Sequence, residues 1–159
     1  MQKIHPFLWF DTQAEEAMNF YCSVFRNAKP GRVNRYPDGS PGGMAGKVMT
    51  AEFDLEGMHI TALNAGPQFK FNEAISLYVD CEDQAEVDHY WNNLTADGGE
   101  ESMCGWLKDK FGLSWQIIPR RLPELMTDPD KAKAGRATQA MLKMRKIVVA
   151  DLEAAANAA

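Results

Sequence analysis

The chain has 159 residues, of which 45% are hydrophobic and 25% charged, the make-up of one globular domain with a sizeable core. Its net charge of −5 argues against nucleic acid or an anionic membrane as partner, because both repel an acidic surface. No stretch approaches the roughly 18 apolar residues of a membrane span. The N-terminus Met1-Gln2-Lys3-Ile4-His5-Pro6 lacks the charged, apolar and cleavage regions of a signal peptide. Three cysteines, Cys22, Cys81 and Cys104, contain no C-x-x-C pair, so neither a disulfide framework nor a zinc ribbon is expected, and a cytoplasmic location is.

Residues 4–10 read as a strand. Thr12 then offers a hydroxyl cap, Glu15 completes a capping box, and Ala14, Ala17, Met18, Tyr21, Cys22 and Phe25 follow as one apolar helical stripe. Cys22 on that stripe is read as core. Residues 31–36 make a short strand. Pro37 to Gly46 is dense with breakers and is expected to be a mobile loop. Over residues 47–55, Met49, Ala51, Phe53 and Leu55 alternate with Val48, Thr50, Glu52 and Asp54, the pattern of a half-buried strand. Glu56-Gly57 turns it into a partner strand, Met58 to Asn64, in an antiparallel hairpin.

The pattern then restarts. Ala74 to Asp80 is a strand with Ile75, Leu77 and Val79 on one face. Asp83 caps a helix whose stripe is Val87, Tyr90, Trp91 and Leu94. Residues 101–107 and 113–119 read as two strands around Lys108 to Gly112. Asp128 is a helix cap with Pro129 in the first turn, ahead of a stripe of Ala137, Ala140, Met141, Met144 and Val148. An Ala-rich helix over 151–159 ends the chain.

Leu8-Trp9-Phe10-Asp11, Gln13-Ala14-Glu15 and Phe20-Tyr21 have counterparts about seventy residues on, in Leu77-Tyr78-Val79-Asp80, Gln84-Ala85-Glu86 and Tyr90-Trp91. The matched order points to duplication. We therefore expect an α+β domain over 1–121, made of module one (1–66) and module two (72–121) around a single small-molecule pocket. A helical extension over 122–159 would pack on the domain or on a partner subunit.

Several segments carry a family resemblance: His5-Pro-Phe-Leu-Trp-Phe-Asp11, Ala14-Glu-Glu-Ala-Met-Asn-Phe-Tyr21, Leu63-Asn-Ala-Gly-Pro-Gln-Phe-Lys-Phe-Asn-Glu-Ala-Ile75, Cys104-Gly-Trp-Leu-Lys-Asp-Lys-Phe-Gly-Leu-Ser-Trp-Gln116 and Gln139-Ala-Met-Leu-Lys-Met144. The chain resembles the vicinal oxygen chelate superfamily of glyoxalase I and the bleomycin-resistance proteins, and within it the PhnB-like branch often labelled 3-demethylubiquinone 3-methyltransferase. The resemblance implies two tandem βαβββ modules in a cupped mixed sheet, and a homodimer.

It also implies where a metal would sit. Metal-using members take a His from the first strand and a Glu from the last strand of each module. The matching positions here hold His5, Thr61, Ala74 and Gln116. Only His5 is a strong ligand, so no metal and no cofactor is expected. A weak site of His5, Gln116 and water stays open. The same positions imply a pocket with His5 and Gln116 as candidate catalytic groups. Thr61, Trp9, Tyr78, Cys104, Trp106 and Trp115 are candidate ligand contacts, the aromatics as walls or as plain packing. Cys104 could supply a thiol, although no base adjoins it in sequence.

Other motifs carry less. A phosphate loop at Gly39 to Lys47 fails, because Pro41 stands where glycine is needed and Val48 where Ser or Thr is needed; a flap near the pocket mouth is the better reading. His59 and His89 read as structural. A methyltransferase would need a glycine-rich strand–helix loop for its cofactor, and the chain has none. Three functions follow: binding or metal-free conversion of a small aromatic or quinone-like molecule; a metal-dependent lyase, isomerase or dioxygenase; or a non-catalytic dimeric binding protein. The residues do not decide whether the protein is an enzyme.

Overall fold

The computed structural model describes residues 2–158. They divide into two compact units, residues 2–71 and 72–158. In the first unit, strand β1 (Phe7–Phe10), helix α1 (Ala14–Val24), and strands β2 (Ala28–Arg35), β3 (Val48–Leu55) and β4 (Met58–Asn64) follow one another. The strands form one sheet in the order β1-β4-β3-β2. β1 runs parallel to β4 and the other pairs are antiparallel.

The second unit repeats the scheme. Strand β5 (Ser76–Cys81), helix α2 (Gln84–Leu94), and strands β6 (Glu100–Glu101), β7 (Trp106–Lys108) and β8 (Ser114–Pro119) form a sheet in the order β5-β8-β7-β6. Helices α3 (Arg121–Met126), α4 (Lys131–Met141) and α5 (Val149–Ala156) complete it. The architecture is the expected α+β fold of two βαβββ modules followed by helices. No helix among the described residues is long and apolar enough to cross a membrane.

Alternation along the strands gives each sheet a helix-covered face. In the first unit Leu8, Phe10, Ala51, Phe53, Leu55, Ile60 and Ala62 are buried, as are Ala14, Ala17, Met18 and Tyr21 of α1. Tyr21 and Phe53 stack with centroids 6.0 Å apart. In the second unit Val87, Tyr90, Trp91 and Leu94 of α2 are buried, as are Leu107, Trp115 and Ile117 of the sheet. The helical stripes read from the sequence are thus the buried faces, with Cys22 at the half-buried margin of its stripe.

Several local expectations are corrected. The first strand begins at Phe7, so Ile4 and His5 precede it. Thr12 does not cap α1. The helix starts after Gln13, which makes no side-chain cap, and Asn64 of β4 supplies its Oδ1 to the Ala14 N–H at 2.8 Å. A buried strand residue thus does from a distance what a local hydroxyl was expected to do. Asp83 does cap α2, accepting from the Glu86 N–H. β2 is longer than read because Pro30 and Gly31 sit at a register shift, where an edge strand tolerates them. A Cβ on Gly31 would come within 2.7 Å of the Glu52 carbonyl oxygen.

The strand read over 101–107 is two strands. Cys104 (φ 60°) and Gly105 (φ 82°) both adopt the left-handed conformation and break it. Their N–H groups donate to the carbonyls of Met144 and Arg145 at 2.7 and 2.8 Å. In the extension, Asp130 rather than Asp128 caps α4; Asp128 instead accepts from the Asp130 N–H at 2.9 Å. The stripe was read too far, since α4 ends at Met141. Ile147, fully buried beyond it, joins Ile118, Leu122, Leu125, Ala137, Leu152 and Ala156 in one core. The extension packs on its own unit, tied to α2 by Gln84, which donates to the Ile147 carbonyl and accepts from the Val149 N–H.

Candidate functional site

The face of each sheet away from its helix carries most of the sequence-predicted residues. In the first unit the row Phe7–Thr61–Glu52 crosses β1, β4 and β3. Thr61 is buried at 6% exposure. Its Oγ1 lies 3.3 Å from His5 Nε2, so the structure brings these two predicted residues together. Phe7 on the same row is 58% exposed. Trp9, one pleat along from Phe7, donates its indole N–H to the Gly66 carbonyl at 2.9 Å and packs edge-on against Phe69 at 4.9 Å.

A cavity of about 660 Å³ opens on this unit, lined by Gln2, His5, Asn27, Lys29, Glu52, Asp54, Gly57 and His59. The two-residue turn at Glu56-Gly57, with φ 49° and 84°, borders it through Gly57. The turn sets Asp54 opposite His59 and Lys29 opposite Asp54. Asp54 Oδ1 is 2.8 Å from His59 Nδ1, and the His59 ring meets the His5 ring edge-on at 4.9 Å. Sequence reading missed this cluster. Its signal was available in the hairpin: a two-residue turn pairs 55 with 58, and therefore 54 with 59.

A second cavity of the first unit, about 480 Å³, is lined by Asp11, Thr12, Tyr36, Met44, Lys47, Val48, Asn64, Ala65 and Gly66. Met44 and Lys47 border it from the glycine-rich loop. Four glycines there (Gly39, Gly42, Gly43 and Gly46) have positive φ, which glycine adopts without strain.

In the second unit the row Tyr78–Gln116–Trp106 crosses β5, β8 and β7, uniting three predicted residues. Gln116 donates from Nε2 to Ser76 Oγ at 2.9 Å. Tyr78 is 54% exposed. Partial burial, then the Asp80 charge, holds its phenol above the usual value, so it stays protonated. Ser114, two residues before Gln116 on the same face, is 1% exposed, and its hydroxyl has no partner among the described residues. Lys108 pairs with Glu73, which raises the ammonium and lowers the carboxyl from their ordinary values.

Trp115 belongs to the other face of this sheet. It is 2% exposed and donates to Asp109 Oδ2 at 2.9 Å, so it braces the hairpin. Cys104 sits half-buried in its left-handed turn.

The chemistry of the family's metal positions does not fit a resident divalent ion. Ala74 has no side-chain donor atom, Gln116 offers only a neutral amide oxygen, and Thr61 is a neutral hydroxyl engaged with His5. Among the described residues no three His, Cys, Asp or Glu side chains gather as a metal group.

Two mixed four-stranded sheets, each ordered first-fourth-third-second, define a vicinal oxygen chelate fold. The model of the 3-demethylubiquinone-9 3-methyltransferase family matches residues 2–118, and the chain belongs to this PhnB-like family. A PhnB protein from Bacillus cereus is 37% identical, covering 74% of this chain and 99% of its own, with a TM-score of 0.67. A Pseudomonas aeruginosa protein is 20% identical over 75% of this chain and 98% of its own, with a TM-score of 0.63. The fosfomycin resistance protein FosX of Listeria monocytogenes is 17% identical over 80% of this chain and 98% of its own, with a TM-score of 0.55; these two likenesses concern the fold alone. No curated protein matches the chain.

Proposed function

We propose that this protein binds a small aromatic or quinone-like molecule on the helix-free faces of its sheets, without the usual metal ligand set. The observation that carries this reading is the row Tyr78–Gln116–Trp106, an amide between two aromatic side chains on one face. Such a row supplies stacking surface beside one orienting polar group, the usual composition of a small-molecule site. In the first unit His5 and Thr61 supply a comparable polar pair. If a reaction occurs, His5 is the candidate proton acceptor or hydrogen-bond partner, and Thr61 and Gln116 orient.

Methyl transfer is not favoured, despite the family's description. The strand–helix junctions are Asp11-Thr12-Gln13 and Glu82-Asp83, and neither contains the glycines that let a backbone approach a nucleotide-like cofactor. The reading includes a homodimer in the cytoplasm, with neither nucleic acid nor membrane as partner. Three free thiols and the acidic net charge support the setting.

The test is calorimetric titration with hydroquinone and phenol, combined with metal analysis of the purified protein. Binding that weakens in Thr61→Val and Gln116→Ala is the expected result. Stoichiometric zinc or iron that is lost in His5→Ala or Gln116→Ala would favour a metal-dependent lyase, isomerase or dioxygenase and overturn the proposal.

A further inference from the structure

The cavity beside His5 contains a histidine whose two nitrogens are unequal. His59 Nδ1 lies 2.8 Å from Asp54 Oδ1. A carboxylate only accepts, so Nδ1 must carry the hydrogen. Nε2 of the neutral ring is then a bare acceptor. Asp54 does this from the opposite position across a two-residue turn, a rigid mount.

The surroundings select what such an acceptor would meet. The His5 ring stands edge-on to His59, and Phe7 is exposed further along the face that carries Thr61. Glu52 and Asp54 disfavour an anion at this end, and the single Lys29 among the lining residues does not outweigh them. A flat, uncharged ring bearing a hydroxyl group satisfies both the aromatic edges and the bare nitrogen.

We infer that His59, oriented by Asp54, is a specificity-determining acceptor for a phenolic hydroxyl in the first unit's cavity. The inference rests on the small-molecule reading above and gives it a donor–acceptor polarity. The ligand must donate a hydrogen at this point, so a hydroxylated aromatic is taken in preference to its methyl ether.

Phenol and anisole are the probes, because they share a ring and differ in the O–H. Wild-type protein should bind phenol more tightly than anisole by between about twofold and tenfold, the worth of one hydrogen bond. His59→Phe should abolish that preference. Asp54→Asn should shrink it, because the amide can donate to Nδ1 as well as accept from it. In ligand-free protein, nitrogen-15 NMR should find His59 protonated on Nδ1. A His59 protonated on Nε2 overturns the inference without any ligand. So does a phenol-to-anisole ratio that His59→Phe leaves unchanged, even where Thr61→Val and Gln116→Ala weaken binding and the broader reading survives. Failure of both probes to bind overturns both.

Discussion

The two units share a strand order and differ in what they mount on it. The first carries polar and ionisable groups on its helix-free face, His5, Thr61, Glu52, Asp54 and His59, and closes its β3–β4 hairpin with two residues. The second carries Tyr78, Gln116 and Trp106, and closes its β7–β8 hairpin with residues 109–113 around one buried carboxylate. It also bears a helical extension outside the family match, which ends at residue 118. One scaffold has thus been kept while hairpins and open faces diverged, as expected when backbone pairing sets the fold and side chains set the site.

Substitutions in each unit test these differences. The largest effect is expected in the extension, where Leu152 is fully buried in a core shared with Ile118 of β8. Leu152→Ala should cost about 2–5 kcal/mol in denaturant unfolding. A negligible cost would mean that the extension is not integral to the second unit.

The hairpins come next. Asp109 is 2% exposed and accepts from the Phe111 and Leu113 N–H groups and from the Trp115 indole. Asp109→Asn should cost about 1–3 kcal/mol, because the amide oxygen can still accept the two backbone N–H groups but the NH2 leaves the buried Trp115 indole N–H unpaired. Glu56→Gly in the other hairpin should change stability by less than about 1 kcal/mol, since relief at φ 49° offsets loss of the exposed hydrogen bond from the Asn27 N–H to Glu56 Oε1.

Burial pushes the Cys81 thiol up to about 12 from 9.0. A raised folded value means that the neutral thiol's contribution is complete below about pH 9 and is lost as pH rises toward about 12. At about pH 10 the wild type should have lost roughly 1.4 kcal/mol through this group. Cys81→Ala should lack that part of the alkaline slope. The smallest contrast is at the caps: Asp83→Ala should cost about 1 kcal/mol, and Thr12→Ala close to nothing, because Asn64 serves α1.

Much of the fold was legible in the sequence because its signals are local. The stripes of α1 and α2, the alternation of β3 and the Glu56-Gly57 turn each follow from residue spacing. What was missed depends on distant partners. Asn64 reaches α1 from fifty residues away, and Met144 and Arg145 split the 101–107 strand by taking the N–H groups of Cys104 and Gly105. The candidate site divides the same way. The family resemblance implied that Thr61 and Gln116 face a pocket with His5, whereas the row that sets Gln116 between Tyr78 and Trp106 emerged only with the strand register. Trp115 was assigned without its face, which strand parity relative to Gln116 would have fixed. His59 was read as structural because its partner Asp54 was never carried across the turn.

Binding of a small aromatic molecule on the helix-free faces remains the proposal to test. The most direct measurement is an amide chemical-shift map of the wild-type protein titrated with phenol. Saturable shifts at His59 and Thr61 in the first unit, and at Tyr78, Trp106 and Gln116 in the second, are expected. Shifts confined to α1, α2 and the extension, or none that saturate, would contradict the proposal.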